Sequence, residues 1–224
     1  DFIASDMLGT THERRHVTLT DLSDGRWFLE AAIPRQYMRN ALFVNTGTPR
    51  FMEAAMASGL ARSDWTWSTV FGDLDLDRRL DLFISNGMSR DYFNHDMRAE
   101  AEQTSDIMGE YWIHQDPLEE ANLAFRNEGD LDFRSMGEEW GLDHVAASFG
   151  AGLADLDRDG DLDVFMNDFG SPPALFENRT NEGHSVELEL RGHAANTHGV
   201  GARVVLTSRG SDGTTAQQVR HLAL

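Results

Sequence analysis

Aspartate fills every second position from Asp155 to Asp163 in the stretch DLDRDGDLDVF, and Asp73, Asp75, Asp77 and Asp81 repeat the pattern in DLDLDRRLDLF, 82 residues earlier. In a plain strand such alternation makes a solvated face. Gly160, at position six of the later stretch, argues otherwise: glycine admits φ > 0, and a sharp turn there makes the carboxylates at positions one, three and five converge. Converging carboxylates repel, and a hard divalent cation with about six to eight oxygen ligands relieves the repulsion. Calcium suits such a loop better than magnesium, which demands tight octahedral geometry and keeps its waters. An EF-hand would need Glu at position twelve and flanking helices, but that position holds Met166 or Ile84, and both stretches close with aspartate at nine before a strand-like run. The expected side-chain ligands are Asp155, Asp157, Asp159 and Asp163, with the backbone carbonyl of Asp161 at position seven. Asp73, Asp75, Asp77 and Asp81, with the carbonyl of Arg79, are their equivalents, giving two calcium sites. The later loop is expected to bind more tightly. The earlier one carries Arg78 and Arg79, and an arginine in the glycine's place is strained by about 1 kcal/mol.

A second pattern, His12-Glu13-Arg14-Arg15-His16, is an HExxH that on a helix would set two histidines on one face for zinc, with Glu13 as base. Its flanks, Gly9-Thr10-Thr11 and Val17-Thr18-Leu19-Thr20, are poor helix formers, and its central arginines repel a dication. It reads as exposed loop, and a zinc metallopeptidase is the weaker reading. His95, His114, His144, His184, His193, His198 and His221 show no ligand spacing. Trp65, Trp67, Trp112 and Trp140 read as core aromatics rather than a sugar platform. No catalytic residue is expected.

The elements that must position these loops follow from repeats. Shifted by 82, Phe43, Asn45, Gly47, Phe51, Gly59 and Leu60 match Phe125, Asn127, Gly129, Phe133, Gly141 and Leu142, and the match runs on through both aspartate loops to Phe83 and Phe165. A third copy begins at Leu175-Phe176-Glu177-Asn178, and Asp1 to Asp6 aligns with Asp81 to Asn86, so the chain reads as opening on the last aspartate of an earlier loop. Ala41 to Val44, Thr66 to Phe71 and Leu80 to Ser85 have strand length and strand composition. Units of about 50 residues with several short strands predict β-propeller blades, each burying its faces against its neighbours. Two insertions, Met7 to Arg39 and Gly87 to Asn122, interrupt the units; the spacing predicts a helix over Met97 to Gly109 in the second.

Composition limits the partners. With Asp+Glu 38 against Lys+Arg 19 and a net charge of -19, the chain lacks the clustered cations that bind phosphate backbones, so no nucleic acid is expected. No apolar run approaches the roughly 18 residues of a membrane span, and the absence of cysteine excludes disulfides and thiolate sites.

The loop DLDRDGDLDVF, the preceding SFGAGLA and the LFxNxG and GL elements resemble the FG-GAP or VCBS repeats of integrin α-subunit heads and many secreted bacterial proteins. Val186 to Gly192, Asn196 to Val204 and Gln218-Val219-Arg220 resemble the ASPIC/UnbV module of the cartilage acidic protein family. Arg78 in place of the loop glycine departs from that pattern, as does a tail that stops soon after its Gln-x-Arg. The resemblance implies an all-β, calcium-stabilised partial propeller with helical or irregular insertions and a C-terminal β module. The parts expected are an earlier blade's end with its insertion (1–36), a blade with a calcium loop (37–86), an insertion (87–120), a second such blade (121–170), and a further blade's start plus the ASPIC/UnbV-like module (171–224). It further implies a secreted, surface or periplasmic bacterial protein that binds a protein or glycan ligand. The alternative is a subunit of an extracellular filament, self-assembling through open blade edges.

Overall fold

The computed structural model describes residues 1–18, 31, 33, 37–104, 108–180, 183–193, 195–210 and 213–222. Much of the first insertion therefore lies outside the described residues. In chain order the first elements are β1 (Phe2–Ala4), α1 (His12–Val17), β2 (Ala41–Asn45), β3 (Phe51–Glu53), β4 (Thr66–Gly72) and β5 (Asp81–Asn86). Then come α2 (His95–Thr104), α3 (Met108–Ile113), β6 (Glu120–Ala121), β7 (Leu123–Gly129), β8 (Asp132–Ser135) and α4 (Gly137–Trp140). The last are β9 (Val145–Ala146), β10 (Ser148–Ala154), β11 (Asp163–Asp168), β12 (Ala174–Phe176), β13 (Arg203–Arg209) and β14 (Thr215–His221).

Two compact units result, Asp1–Glu182 and Gly183–Leu224. In the first, antiparallel pairing builds the sheets β1-β2-β3, β4-β5-β7-β8 and β10-β11-β12, with a small β6-β9 pair. None of the sheets closes into a barrel. The second unit contains the hairpin β13-β14, in unbroken register from Arg203↔His221 to Arg209↔Thr215.

Strand β5 shows why the sheets stack. Every residue from Asp81 to Asn86 is buried, so it presents apolar side chains to both faces with period two. Leu82 and Ile84 join Leu42, Ala55 and Leu60 in a core shared with the β1-β2-β3 sheet. Phe83, between them, points the other way and packs with Val164 and Met166 of β11 in a second core. Burying each such side chain is worth roughly 1.5–3 kcal/mol, so the central sheet is held from both sides. Gly72 lets the third sheet come close: a Cβ there would collide with Leu153 Cδ1 of β10.

The sequence repeat and the sheets are out of phase. Thr66–Gly72 and Asp81–Asn86 share a sheet with Leu123–Gly129 and Asp132–Ser135, which follow the second insertion, and not with Ala41–Asn45. The predicted helix over Met97 to Gly109 is replaced by α2 and α3. Asn94 starts α2 earlier, its Oδ1 accepting from the Asp96 and Met97 amides at 3.1 and 3.3 Å, and Gly109 lies inside α3 rather than ending a helix.

Candidate metal centre

Both aspartate loops hang between paired strands, Asp73 to Asp81 between β4 and β5, and Asp155 to Asp163 between β10 and β11. Position nine clamps each. Asp81 Oδ2 accepts from the Leu74 amide and its Oδ1 from the Asn127 amide of the neighbouring strand, both at 2.9 Å. Asp163 does the same with Leu156 and Asn178, again at 2.9 Å each. Asp1 accepts from the Asn45 amide at 2.6 Å, so one contact recurs at all three copies. Within the loops, positions four and six are both left-handed: Leu76 and Arg78 at φ 57° and 81°, Arg158 and Gly160 at 68° and 101°. These reversals bring positions one and three of both loops together, joined by position five only in the second loop, and backbone amides cap the carboxylates: Arg78 N donates to Asp73 Oδ2 and Gly160 N to Asp155 Oδ2.

Carboxylate oxygens of Asp73, Asp75 and Asp81 lie within 4.8 Å of one another, close enough to hold a metal ion, and those of Asp155, Asp157 and Asp159 meet the same distance. Asp77 is not in the first group. It pairs instead with Arg79 and, at 3.1 Å, with Arg126, whose Nε also lies 2.5 Å from Asp75 Oδ2.

Among the described residues no arginine side chain pairs with Asp155, Asp157, Asp159, Asp161 or Asp163. Asp161, whose carbonyl was the expected ligand, also buries its side chain to 2 % exposure. Its Oδ2 accepts from Thr180 N at 3.0 Å, while Oδ1 is buried without a hydrogen-bond partner. Burial, followed by the nearby Asp159 and Asp163 carboxylates, pushes Asp161 up to about 6. Burial also raises Asp81 to about 6, against the opposing amide bonds from Asn127 and Leu74. A buried oxygen with no donor, beside three converging carboxylates, fits a hard cation: the donor set is all oxygen and anionic.

Residues that reasoning from sequence passed over hold the loops in place. Asn127 Nδ2 donates to Leu80 O at 3.1 Å, and Asn178 Nδ2 to Leu162 O at 3.3 Å and to Leu74 O at 2.7 Å. The signal was the asparagine common to all three copies. The residue before it differs, Arg126 in one copy and Glu177 in the next, and so sets each loop's charge.

The HExxH stretch is helical, contrary to the expected loop. Thr11 Oγ1 caps it by accepting from Arg14 N at 3.2 Å, and the Arg14 guanidinium pairs with Asp91 at 2.9 Å and Glu120 at 3.0 Å. These tertiary ion pairs override the weak local propensity. His12 and His16 share a face with ring centroids 4.3 Å apart, and among the described residues no third ligand side chain groups with them. Of the tryptophans, Trp112 is buried and Trp140 packs on the second core, but Trp67 keeps 48 % of its surface exposed. No protein-family model matches the chain, and no curated protein matches it.

Proposed function

We propose that the chain is a calcium-binding β-propeller module of a secreted or surface bacterial protein, in which the metal is structural and the module serves binding or adhesion. The observation that carries this reading is the second loop, where Asp155, Asp157 and Asp159 converge beside the partnerless Oδ1 of Asp161. Asp155, Asp157, Asp159 and Asp163, with the Asp161 carbonyl, would hold the ion, which supplies the positive charge these carboxylates lack. Face-to-face stacking of three antiparallel sheets, each with the same aspartate-to-asparagine contact, supports blades of the FG-GAP or VCBS kind. Loops of this type fit the roughly 10⁻⁴ to 10⁻³ M affinities of extracellular modules, which supports a location outside the cytosol.

Thermal and urea unfolding in EDTA and in calcium test the reading. At calcium about 100-fold above the dissociation constant, binding to the folded state adds about 2.7 kcal/mol, and Asp159→Ala removes that gain. Equal stability with and without calcium rules the structural metal out. A second reading, a subunit of an extracellular assembly, is favoured by Phe2 and Phe51, each about half exposed on the β1-β2-β3 sheet.

A further inference from the structure

Arg126 occupies, on β7, the place that Glu177 occupies just past the end of β12, and Arg79 occupies the place of Asp161. We propose that in the first loop the guanidinium groups of Arg126 and Arg79 stand in for the divalent cation, so that the chain takes one calcium ion, at the second loop, rather than two. The inference rests on the calcium reading of that second loop.

The geometry favours guanidinium over metal at the first loop. Arg126 bridges Asp75, 2.5 Å from Nε, and Asp77, 3.1 Å from the terminal nitrogen. Arg79 pairs with Asp77 from inside the loop and also donates from Nε to the Asn127 carbonyl at 2.5 Å. Both cations are therefore anchored, one to a strand and one to that strand's backbone: together they draw Asp77 away from Asp73, Asp75 and Asp81, and a divalent ion taking Asp75 would have to displace Arg126. Such planar, always-charged groups match carboxylates well and are weakly hydrated, so they are suited to partly buried pairs. The second loop has the reverse charge at both places. There Glu177 turns to Arg179, at 3.0 and 3.1 Å, and among the described residues no arginine pairs with the loop's carboxylates.

Calcium titration of the full chain, followed by equilibrium dialysis and by amide NMR shifts, decides it. The expected result is one bound ion, with shifts confined to Asp155–Asp163 and its neighbours, and none bound after Asp159→Ala. Arg126→Glu with Arg79→Asp gives the first loop the charges of the second and is expected to raise the stoichiometry from one to two; Arg126→Val, the residue of the first copy, is the milder variant if the double one does not fold. Two ions on the unaltered chain, or one retained by Asp159→Ala, overturns the inference and leaves the calcium reading standing. Folded Arg126 variants that still bind one ion overturn it as well. No ion on the unaltered chain overturns both.

Discussion

Asn178 joins the two loops through one amide group: it donates to Leu162 O beside Asp163 and to Leu74 O beside Asp73, and its own backbone N–H donates to Asp163 Oδ1. Asn178→Ala leaves two carbonyls short of a donor and is expected to cost about 1–3 kcal/mol, the usual penalty for an unsatisfied buried group. Urea unfolding measures it, and a loss within about 0.3 kcal/mol would show that water replaces the amide. The convergence of Asp155, Asp157 and Asp159 was legible in the sequence because alternate aspartates and a glycine at position six carry a local signal, whereas the turn of Asp77 to Arg79 and Arg126 was not. Asn127 and Asn178 were visible only as identities, since their partners lie across a strand that must first be paired. Position four was not legible at all: Leu76 and Arg158 take φ 57° and 68° with no glycine to announce it. Their conformation is imposed by the amide-to-carboxylate bonds around them, at a cost of about 1 kcal/mol each.

At the scale of elements, α1 illustrates a short helix stabilised from outside. Six residues with two β-branched neighbours do not form a helix alone, and the sequence read them as loop. What the sequence could not display is that Asp91 and Glu120, from the far side of two other segments, meet Arg14. Arg14→Ala strands both carboxylates and is expected to cost roughly 2 kcal/mol at pH 7, below the full range for buried pairs because Arg14 keeps some exposure. The cost has a pH sign. Burial holds Glu120 above its usual value, with Arg14 pulling the other way. Such a raised carboxyl binds protons more tightly in the folded state, so its contribution falls as pH rises through the window above its ordinary value. Removing Arg14 raises Glu120 further and extends that fall toward neutrality. The destabilisation should therefore be larger at pH 7 than at about pH 5, and amide exchange should quicken over His12–Val17. An equal loss at both pH values would assign the effect to packing of the arginine stem. The three strands named from sequence, by contrast, were legible to within a residue at each end, because short apolar, β-rich runs bounded by Asn, Gly and Asp are written locally, whereas the sheet that Thr66–Gly72 and Asp81–Asn86 belong to depends on Leu123–Gly129 arriving after the second insertion.

Within the larger unit, one kind of sheet-to-sheet contact is used twice and, among the described residues, is left open at both ends. Leu82, Phe125 and Phe133 of the central sheet face the first sheet across the first core. Their counterparts in the first sheet are Phe2, Phe43 and Phe51, which cluster with ring centroids 4.8 and 5.4 Å from Phe2 and have no sheet beyond them among the described residues. At the other end, Phe165 and Leu175, counterparts of Phe83 and Ala124, remain 44 % and 62 % exposed. The two faces are the halves of the contact already made inside the unit, so each would be complementary to the opposite end face of a second copy of the chain. Such a head-to-tail contact is heterologous, and it continues beyond a dimer unless its rotation closes a ring. Sedimentation velocity over a range of concentrations should therefore show association that grows with concentration, including species larger than a dimer. Phe51→Glu sets a charge in the middle of the patch. Because Phe51 is already 53 % exposed, the variant should fold normally while its association weakens by about tenfold or more, as expected for a charge desolvated without a partner. A chain that stays monomeric throughout, or a Phe51→Glu variant that associates as strongly as the original, would remove the end faces as the basis for assembly.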